Sequence, residues 1–80
     1  MKAMHMVTHE EHHGIPEGFA ALSIDDNGWV GTNNGHPFAG QPALFPLTQA
    51  HAICYAWNTY DLHAMPCPEN VAPEVLEWLT

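Results

Sequence analysis

An apolar segment followed directly by an Asn-Gly turn constrains the fold of this chain more than any other feature. The run from Phe19 to Ile24 (Phe-Ala-Ala-Leu-Ser-Ile) has the composition of a β-strand, and Asp26-Asn27-Gly28-Trp29 follows it. Asn-Gly favours a two-residue hairpin turn because both positions tolerate positive φ. We therefore predict an antiparallel hairpin with a return strand from Trp29 to Asn33, in a register that places Ile24 opposite Gly31.

The second strong pattern predicts a helix from Gln49 to Tyr60, with Thr48 as its N-cap. Apolar side chains recur there at helical spacing and predict one buried face, formed by Ala50, Ile53, Trp57 and Tyr60 with Cys54 beside them. The polar side chains of the segment lie largely on the opposite face. Between the hairpin and the helix, Ala43–Phe45 predicts a short third strand, limited by the prolines on either side.

The remaining segments give weaker patterns. Residues 1–8 alternate enough for an edge strand, residues 9–18 predict a loop or a single helical turn, and a second turn at Asn33-Asn34-Gly35 leads into a loop over residues 37–42. The chain after Asp61 is irregular, and residues 71–80 favour a short helix, with a closing strand as the alternative. The 80 residues therefore predict a single α+β domain, residues 1–80, in which a small antiparallel sheet with a central hairpin packs on one main helix.

The charge balance restricts the class of partner. Nine carboxylates face a single basic residue, Lys2, and the chain contains no Arg. Affinity for a phosphate backbone comes from Lys and Arg, so direct nucleic-acid binding is not expected. An acidic surface is repelled by anionic membranes and attracted by basic protein grooves, and the chain has no apolar run long enough for a membrane span. We therefore expect the partner to be a basic protein surface, although acidity serving only solubility is the alternative.

The sequence offers little catalytic machinery. It contains no P-loop, no dinucleotide-binding glycine motif and no nucleophile elbow, and its single serine, Ser23, lies within a predicted strand. We predict a protein that is not an enzyme and uses no cofactor. The N-terminus lacks the apolar run of a signal peptide, and nothing indicates that Cys54 and Cys67 meet an oxidising compartment. A cytoplasmic protein with free thiols is therefore expected.

Two groups of side chains keep a metal-binding alternative open. His9-Glu10-Glu11-His12-His13 matches the H-E-x-x-H zinc signature, but Gly14 and Pro16 end any supporting helix at once. The second group pairs His51 and Cys54 with His63 and Cys67, and tetrahedral zinc accepts such a ligand set. Against it, the predicted helix turns His51 towards solvent and Cys54 towards the core. No metal site is therefore assigned.

Carboxylates next to aromatic side chains are the best candidates for partner binding, because aromatic residues dominate interface hot spots. The candidate residues form three groups: Asp25, Asp26 and Trp29 at the hairpin; Glu69, Glu74, Glu77 and Trp78 near the C-terminus; and Glu10, Glu11 and Glu17 before the first strand. Ordinary turn residues and a solvated rim are the alternative interpretation, above all for Asp25-Asp26-Asn27-Gly28.

In overall pattern the chain resembles the small phage-encoded anti-CRISPR proteins that inhibit type I CRISPR–Cas systems, type I-C included. The features that carry the resemblance are the hairpin Ile24-Asp-Asp-Asn-Gly-Trp-Val30, the helix Thr48-Gln-Ala-His-Ala-Ile-Cys-Tyr-Ala-Trp57, the acidity and the length. Such proteins share no diagnostic motif, so no functional residue is carried over. The resemblance implies a small α+β inhibitor in the infected bacterial cell that binds a surveillance complex and blocks access of target DNA. A generic acidic phage adaptor protein is the further alternative.

Overall fold

The computed structural model describes residues 3–32 and 40–76. Its elements are β1 (Val7–Thr8), β2 (Phe19–Ile24), β3 (Trp29–Gly31), β4 (Gln41–Pro46), α1 (Leu47–Tyr60), β5 (Ala64–Pro66) and β6 (Glu74–Val75). The strands form one antiparallel sheet in the order β5-β3-β2-β4-β6, and β1 pairs with β2. With α1 packed against this sheet, the predicted α+β fold is confirmed.

The two faces of the sheet differ in what covers them. Successive strand residues point to opposite faces, and α1 covers the face with the larger hydrophobic cluster. Ala50, Ile53, Cys54 and Trp57 of the helix pack there against Ala20, Leu22, Ile24, Val30, Ala43 and Phe45 of the sheet. On the other face, Ile15 from the turn between β1 and β2 packs on Ala21 and Leu44.

The predicted hairpin forms, but its predicted register is wrong by one residue. Ile24 pairs with Val30, and Gly31 lies opposite Ser23. The loop has three residues, since the Asp25 N–H donates to the Trp29 carbonyl and the Gly28 N–H donates to the Asp25 carbonyl. Within this loop only Gly28 has positive φ, at 79°. A turn closed by one glycine in the left-handed region is the usual three-residue hairpin.

Strand β4 is longer than the predicted Ala43–Phe45, because both flanking prolines belong to it. Leu76 donates its N–H to the Pro42 carbonyl, so the backbone of Pro42 faces β6 and not β2. Backbone polar groups alternate sides along a strand, so Pro46 faces the same way. Proline has no backbone N–H to donate. Because Pro42 and Pro46 both face away from β2, they do not interrupt the hydrogen bonds between β4 and β2.

The helix α1 begins earlier and buries less than predicted. It starts at Leu47, whose N–H donates to the Gly18 carbonyl, and Pro46 is the N-cap residue without a side-chain cap bond. Thr48 is therefore not the cap. Ala50, Ile53, Cys54 and Trp57 are buried as predicted, but Tyr60 is 71% exposed. The helix ends directly after Tyr60 at Asp61, which adopts a left-handed conformation with φ of 53°.

The C-terminal third differs most from the prediction. The segment predicted to be irregular after Asp61 contains β5, which pairs with β3. The short helix predicted over residues 71–80 is wrong for its described part, because Glu74–Val75 is a strand paired with β4. The N-terminal strand is confined to Val7–Thr8, and residues 9–18 form turns as expected. The predicted Asn33-Asn34-Gly35 turn, residues 37–39 of the predicted 37–42 loop and the last four residues lie outside the described ranges. The loop prediction is wrong for Gln41 and Pro42, which belong to β4.

Candidate partner-binding surface

Asp25 and Asp26 differ in their surroundings although they are neighbours in the hairpin. The Asp25 carboxylate accepts hydrogen bonds from the backbone N–H groups of Asn27 and Trp29, both at 2.9 Å. Asp25 therefore stabilises the turn, as the alternative interpretation of this segment proposed. Asp26 is exposed at the end of the loop, and Trp29 beside it is 44% exposed. The hairpin thus presents an exposed carboxylate close in sequence to a half-exposed indole.

The chain after β5 runs beside the hairpin. Pro66 pairs with Trp29, and the Cys67 N–H donates to the Gly28 carbonyl at 3.1 Å. A turn closed by a hydrogen bond from the Val71 N–H to the Pro68 carbonyl follows, and Glu69 lies exposed within it. We call Asp25, Asp26, Trp29 and Glu69 together the tip surface. They come from two segments that the fold brings to the same end of the sheet.

Three other predicted carboxylates lie at the opposite end of β2. Glu10, Glu11 and Glu17 belong to the turns between β1 and β2, and we call these three residues the turn cluster. The six residues of β2 separate the turn cluster from the tip surface by about 20 Å, at roughly 3.3 Å per residue. The ten predicted partner-binding residues therefore do not form one patch.

Histidines surround the turn cluster. His5 Nε2 lies 3.1 Å from a carboxylate oxygen of Glu11, and His9 Nε2 lies 4.0 Å from Glu17. The other ring nitrogen of His9, Nδ1, lies 2.6 Å from the carbonyl oxygen of the buried Ile15 and donates to it. Hydrogen bonds from the backbone N–H of Glu10 and from the Thr8 hydroxyl hold the pKa of the Glu10 carboxyl below its ordinary value. Two of the three turn-cluster carboxylates therefore have a histidine ring within 4.0 Å.

Of the three remaining predicted residues, the structure describes Glu74. Glu74 is exposed on β6, which β2 and β4 separate from the hairpin strand β3. Glu77 and Trp78 lie outside the described residues. No Lys or Arg occurs within residues 3–32 and 40–76, so only histidines supply titratable cations there. The carboxylates of the tip surface consequently have no Lys or Arg to pair with in this part of the chain.

The two metal-binding alternatives gain no geometric support. Residues 9–13 form turns and not a helix, with the Glu11 and His12 N–H groups both donating to the Thr8 carbonyl. The helix places His51 in solvent and Cys54 in the core. Burial raises the pKa of both the Cys54 and Cys67 thiols, and this disfavours the thiolate form that a metal requires. Within the described ranges, no group of three or more His, Cys, Asp or Glu side chains could hold a metal ion.

Two features of the surface were not among the candidate site residues from the sequence. Tyr55 on α1 is 71% exposed, on the face that the helical pattern places opposite the core. A cavity of about 110 Å³ opens where β1 and β3 diverge from the same edge of β2, and Ser23, Gly31 and Pro42 are among its lining residues. Only the pairing of two strands along one edge creates it, so no local sequence signal could have located this cavity.

Comparison of the chain with protein-family models, with curated proteins and with solved structures found no match. In the part of the chain that the structure describes, no helix is both long enough and apolar enough to cross a membrane.

Proposed function

We propose that this protein is an inhibitor that binds a basic surface of a type I CRISPR surveillance complex and blocks access of target DNA. The partner class follows from the resemblance to anti-CRISPR proteins, and the mode of binding follows from charge. The observation that carries the proposal is the tip surface, where Asp26 and Glu69 are exposed on two adjoining segments, one of which carries a half-exposed tryptophan. The contact requires no catalytic step and no cofactor.

The charge of the chain supports a basic partner. Its formal net charge is −8, and the tip carboxylates are not neutralised by Lys or Arg within the described ranges. Long-range attraction of this kind raises the association rate with a positively charged groove and weakens as salt screens it. A groove that binds DNA is lined by Lys and Arg, so the same side chains that hold DNA would attract the tip surface.

Trp29 supplies the apolar part of the contact in this proposal. Rim carboxylates set the association rate more than the final affinity, whereas buried aromatic side chains account for much of the binding energy. With the indole already half-exposed, contact with a partner can bury more of it without unfolding β3. The proposal therefore assigns steering to Asp26 and Glu69 and anchoring to Trp29.

Competition against target DNA tests the proposal directly. A purified type I-C surveillance complex is mixed with fluorescent target duplex, and polarisation is followed as this protein is added. We expect displacement of the duplex, and we expect the inhibitory concentration to rise at least tenfold for the double variant Asp26→Lys, Glu69→Lys. Raising NaCl from 0.05 to 0.5 M should slow association, because the Debye length falls to about 10 Å already at 0.1 M.

A matched pair of carboxylates serves as the control. Glu11→Lys with Glu17→Lys changes the net charge by the same amount but at the other end of β2. We expect this pair to reduce the association rate only moderately, and Trp29→Ala to increase the dissociation rate. If the two double variants weakened inhibition equally, the net charge of the protein, and not a defined surface, would determine binding. Absence of any displacement of DNA would contradict the proposed partner.

A further inference from the structure

The loop between β2 and β3 carries an Asn-Gly dipeptide, Asn27-Gly28, that is open to solvent. Asn27 is exposed, and within residues 3–32 and 40–76 no hydrogen bond holds its side-chain amide. The space beside Gly28 is open as well, since a Cβ atom placed on it would have no neighbour within 4 Å beyond the adjoining residues. The side-chain amide and the backbone nitrogen that follows it can therefore react with one another and with water.

Asparagine followed by glycine undergoes an intramolecular cyclisation. The backbone nitrogen of Gly28 attacks the side-chain carbonyl carbon, Cγ, of Asn27, and the Cγ–Nδ2 bond breaks. The proton of the attacking nitrogen leaves with the released ammonia, and a five-membered succinimide remains. Water then opens this ring, at Cγ to give aspartate or at the main-chain carbonyl carbon to give isoaspartate. Glycine permits the attack because it has no Cβ to hinder the approach of its nitrogen.

The hydrogen bonds of the loop oppose this cyclisation. The carboxylate oxygen Oδ1 of Asp25 accepts the backbone N–H groups of Asn27 and Trp29, at 2.9 Å each. The N–H of the attacking nitrogen, that of Gly28, donates to the Asp25 carbonyl oxygen at 3.1 Å. Cyclisation removes this last N–H and turns the backbone of Asn27, so it breaks one bond and strains the others. Because each such bond contributes only a small net free energy, the loop slows the reaction and does not prevent it.

We propose that Asn27 is a site of spontaneous deamidation in the folded protein, at a rate that the hydrogen bonds of the Asp25 carboxylate restrain. The site does not depend on the proposed partner. The aspartate product adds a carboxylate directly beside Asp26 of the tip surface. The isoaspartate product lengthens the main chain by one carbon between the two N–H groups that Asp25 Oδ1 accepts, so the 2.9 Å bond to the Trp29 N–H no longer fits.

Peptide mapping of aged protein tests the proposal. Wild-type protein is incubated at pH 8.0 and 37 °C for four weeks, and chymotryptic cleavage after Trp29 separates Asn27 from Asn34 of the second Asn-Gly dipeptide. Tandem mass spectrometry locates the exchange of an NH₂ for an OH group, and an isoaspartyl methyltransferase detects isoaspartate. We expect Asn27 to be converted, but more slowly than in 6 M guanidinium chloride. Asn27→Gln should stay unmodified, because a six-membered imide forms far more slowly.

The variant Asn27→Asp reproduces the aspartate product and tests its consequence for the tip surface, which rests on the proposed function. In the DNA-displacement assay we expect this variant to have a lower inhibitory concentration than the wild type in 0.05 M NaCl, and the difference should disappear at 0.5 M because salt screens the added charge. An unchanged inhibitory concentration at low salt would overturn this consequence. Since peptide mapping uses the free protein, failure to displace DNA would contradict the proposed function and leave the result at Asn27 standing.

Substitutions of the two neighbouring aspartates test the restraint. Asp25→Ala should raise the rate constant of conversion at Asn27 at least threefold, because both bonds to the carboxylate are lost. Asp26→Ala is the matched control, since it removes the same charge from an exposed side chain. Asp25→Asn should keep nearly the wild-type rate, because its amide oxygen accepts both N–H groups. Circular dichroism confirms that the variants remain folded. A wild-type protein whose Asn27 stays intact for four weeks would overturn the proposal, as would equal rates in Asp25→Ala and Asp26→Ala.

Discussion

Asp25 combines a structural role with a place on the tip surface. Its carboxylate accepts two backbone hydrogen bonds that close the hairpin loop, at 2.9 Å each. A typical hydrogen bond contributes about 1 kcal/mol net to stability. A charge-reversed Asp25 would therefore disturb the turn as well as the charge, and any loss of binding would have two explanations. A substitution of Asp26, whose side chain is exposed, tests the effect of charge with less disturbance of the turn.

Two substitutions at Asp25 distinguish charge from turn formation. We expect Asp25→Asn to keep most of the stability, because an amide oxygen can accept both N–H bonds. Asp25→Ala should lower the free energy of unfolding by about 1–2 kcal/mol, since the oxygen that accepts both hydrogen bonds is lost. Urea denaturation followed by tryptophan fluorescence measures both values. Equal losses for the two variants would mean that the negative charge, and not the acceptor oxygen, stabilises the loop.

At the scale of elements, the N-terminal segment is attached to the end of the helix by one side chain. Asn58 accepts a hydrogen bond from the Met4 N–H at 2.9 Å and donates one to the Met4 carbonyl at 3.3 Å. The side chain of Met4 is buried with the helix-side core. This contact joins residues 54 positions apart. It explains how a strand of only two residues, β1, keeps its place beside β2.

Removing this contact should loosen the N-terminal segment. We expect Asn58→Ala to destabilise the protein by about 1–2 kcal/mol, because both hydrogen bonds between its side chain and the Met4 backbone are lost. Amide exchange should increase selectively at residues 4–8. Thr59→Ala, an exposed neighbour on the same helix, is the control, with a change of less than about 0.5 kcal/mol expected. Uniform exchange across the whole chain in Asn58→Ala would contradict a local role for the contact.

Local sequence patterns predicted the elements that are long enough for apolar side chains to repeat at the spacing of a strand or of a helix. β2 and the buried face of α1 were predictable because six and 14 residues repeat the pattern of a strand and of a helix. β5 and β6 have three and two residues, too few for a period, and exist because β3 and β4 offer them an edge. The hairpin register was missed because Asn27-Gly28 indicates a turn but does not distinguish a two-residue loop from a three-residue loop closed by Asp25.

The candidate site shows the same limit. Asp26 and Trp29 were predictable as neighbours because two residues separate them along the hairpin. That Glu69 lies in the segment beside them depends on the pairing of β5 with β3, which no local pattern indicated. The separation of Glu10, Glu11 and Glu17 from this surface likewise follows from the direction of β2. The composition predicted an acidic surface, but only the pairing of the strands shows where on the molecule the carboxylates lie.

For the whole molecule, the important consequence is that the two acidic ends differ in the side chains beside their carboxylates. His5 and His9 lie within 4.0 Å of turn-cluster carboxylates, and His12 and His13 belong to the same segment. The tip surface contains no histidine among its four residues. The proposal therefore assigns binding to the acidic surface that contains no histidine.

This asymmetry predicts that binding to the surveillance complex depends on salt and not on the histidines beside the turn cluster. Between 0.05 and 0.5 M NaCl we expect the association rate to fall several-fold, because screening reduces the long-range attraction to a basic surface. The double variant His5→Ala, His9→Ala should change the dissociation rate by less than about twofold, since neither ring belongs to the tip surface. Surface plasmon resonance measures both rates. A dissociation rate that instead rises tenfold in this variant would place the turn cluster, and not the tip surface, in the interface.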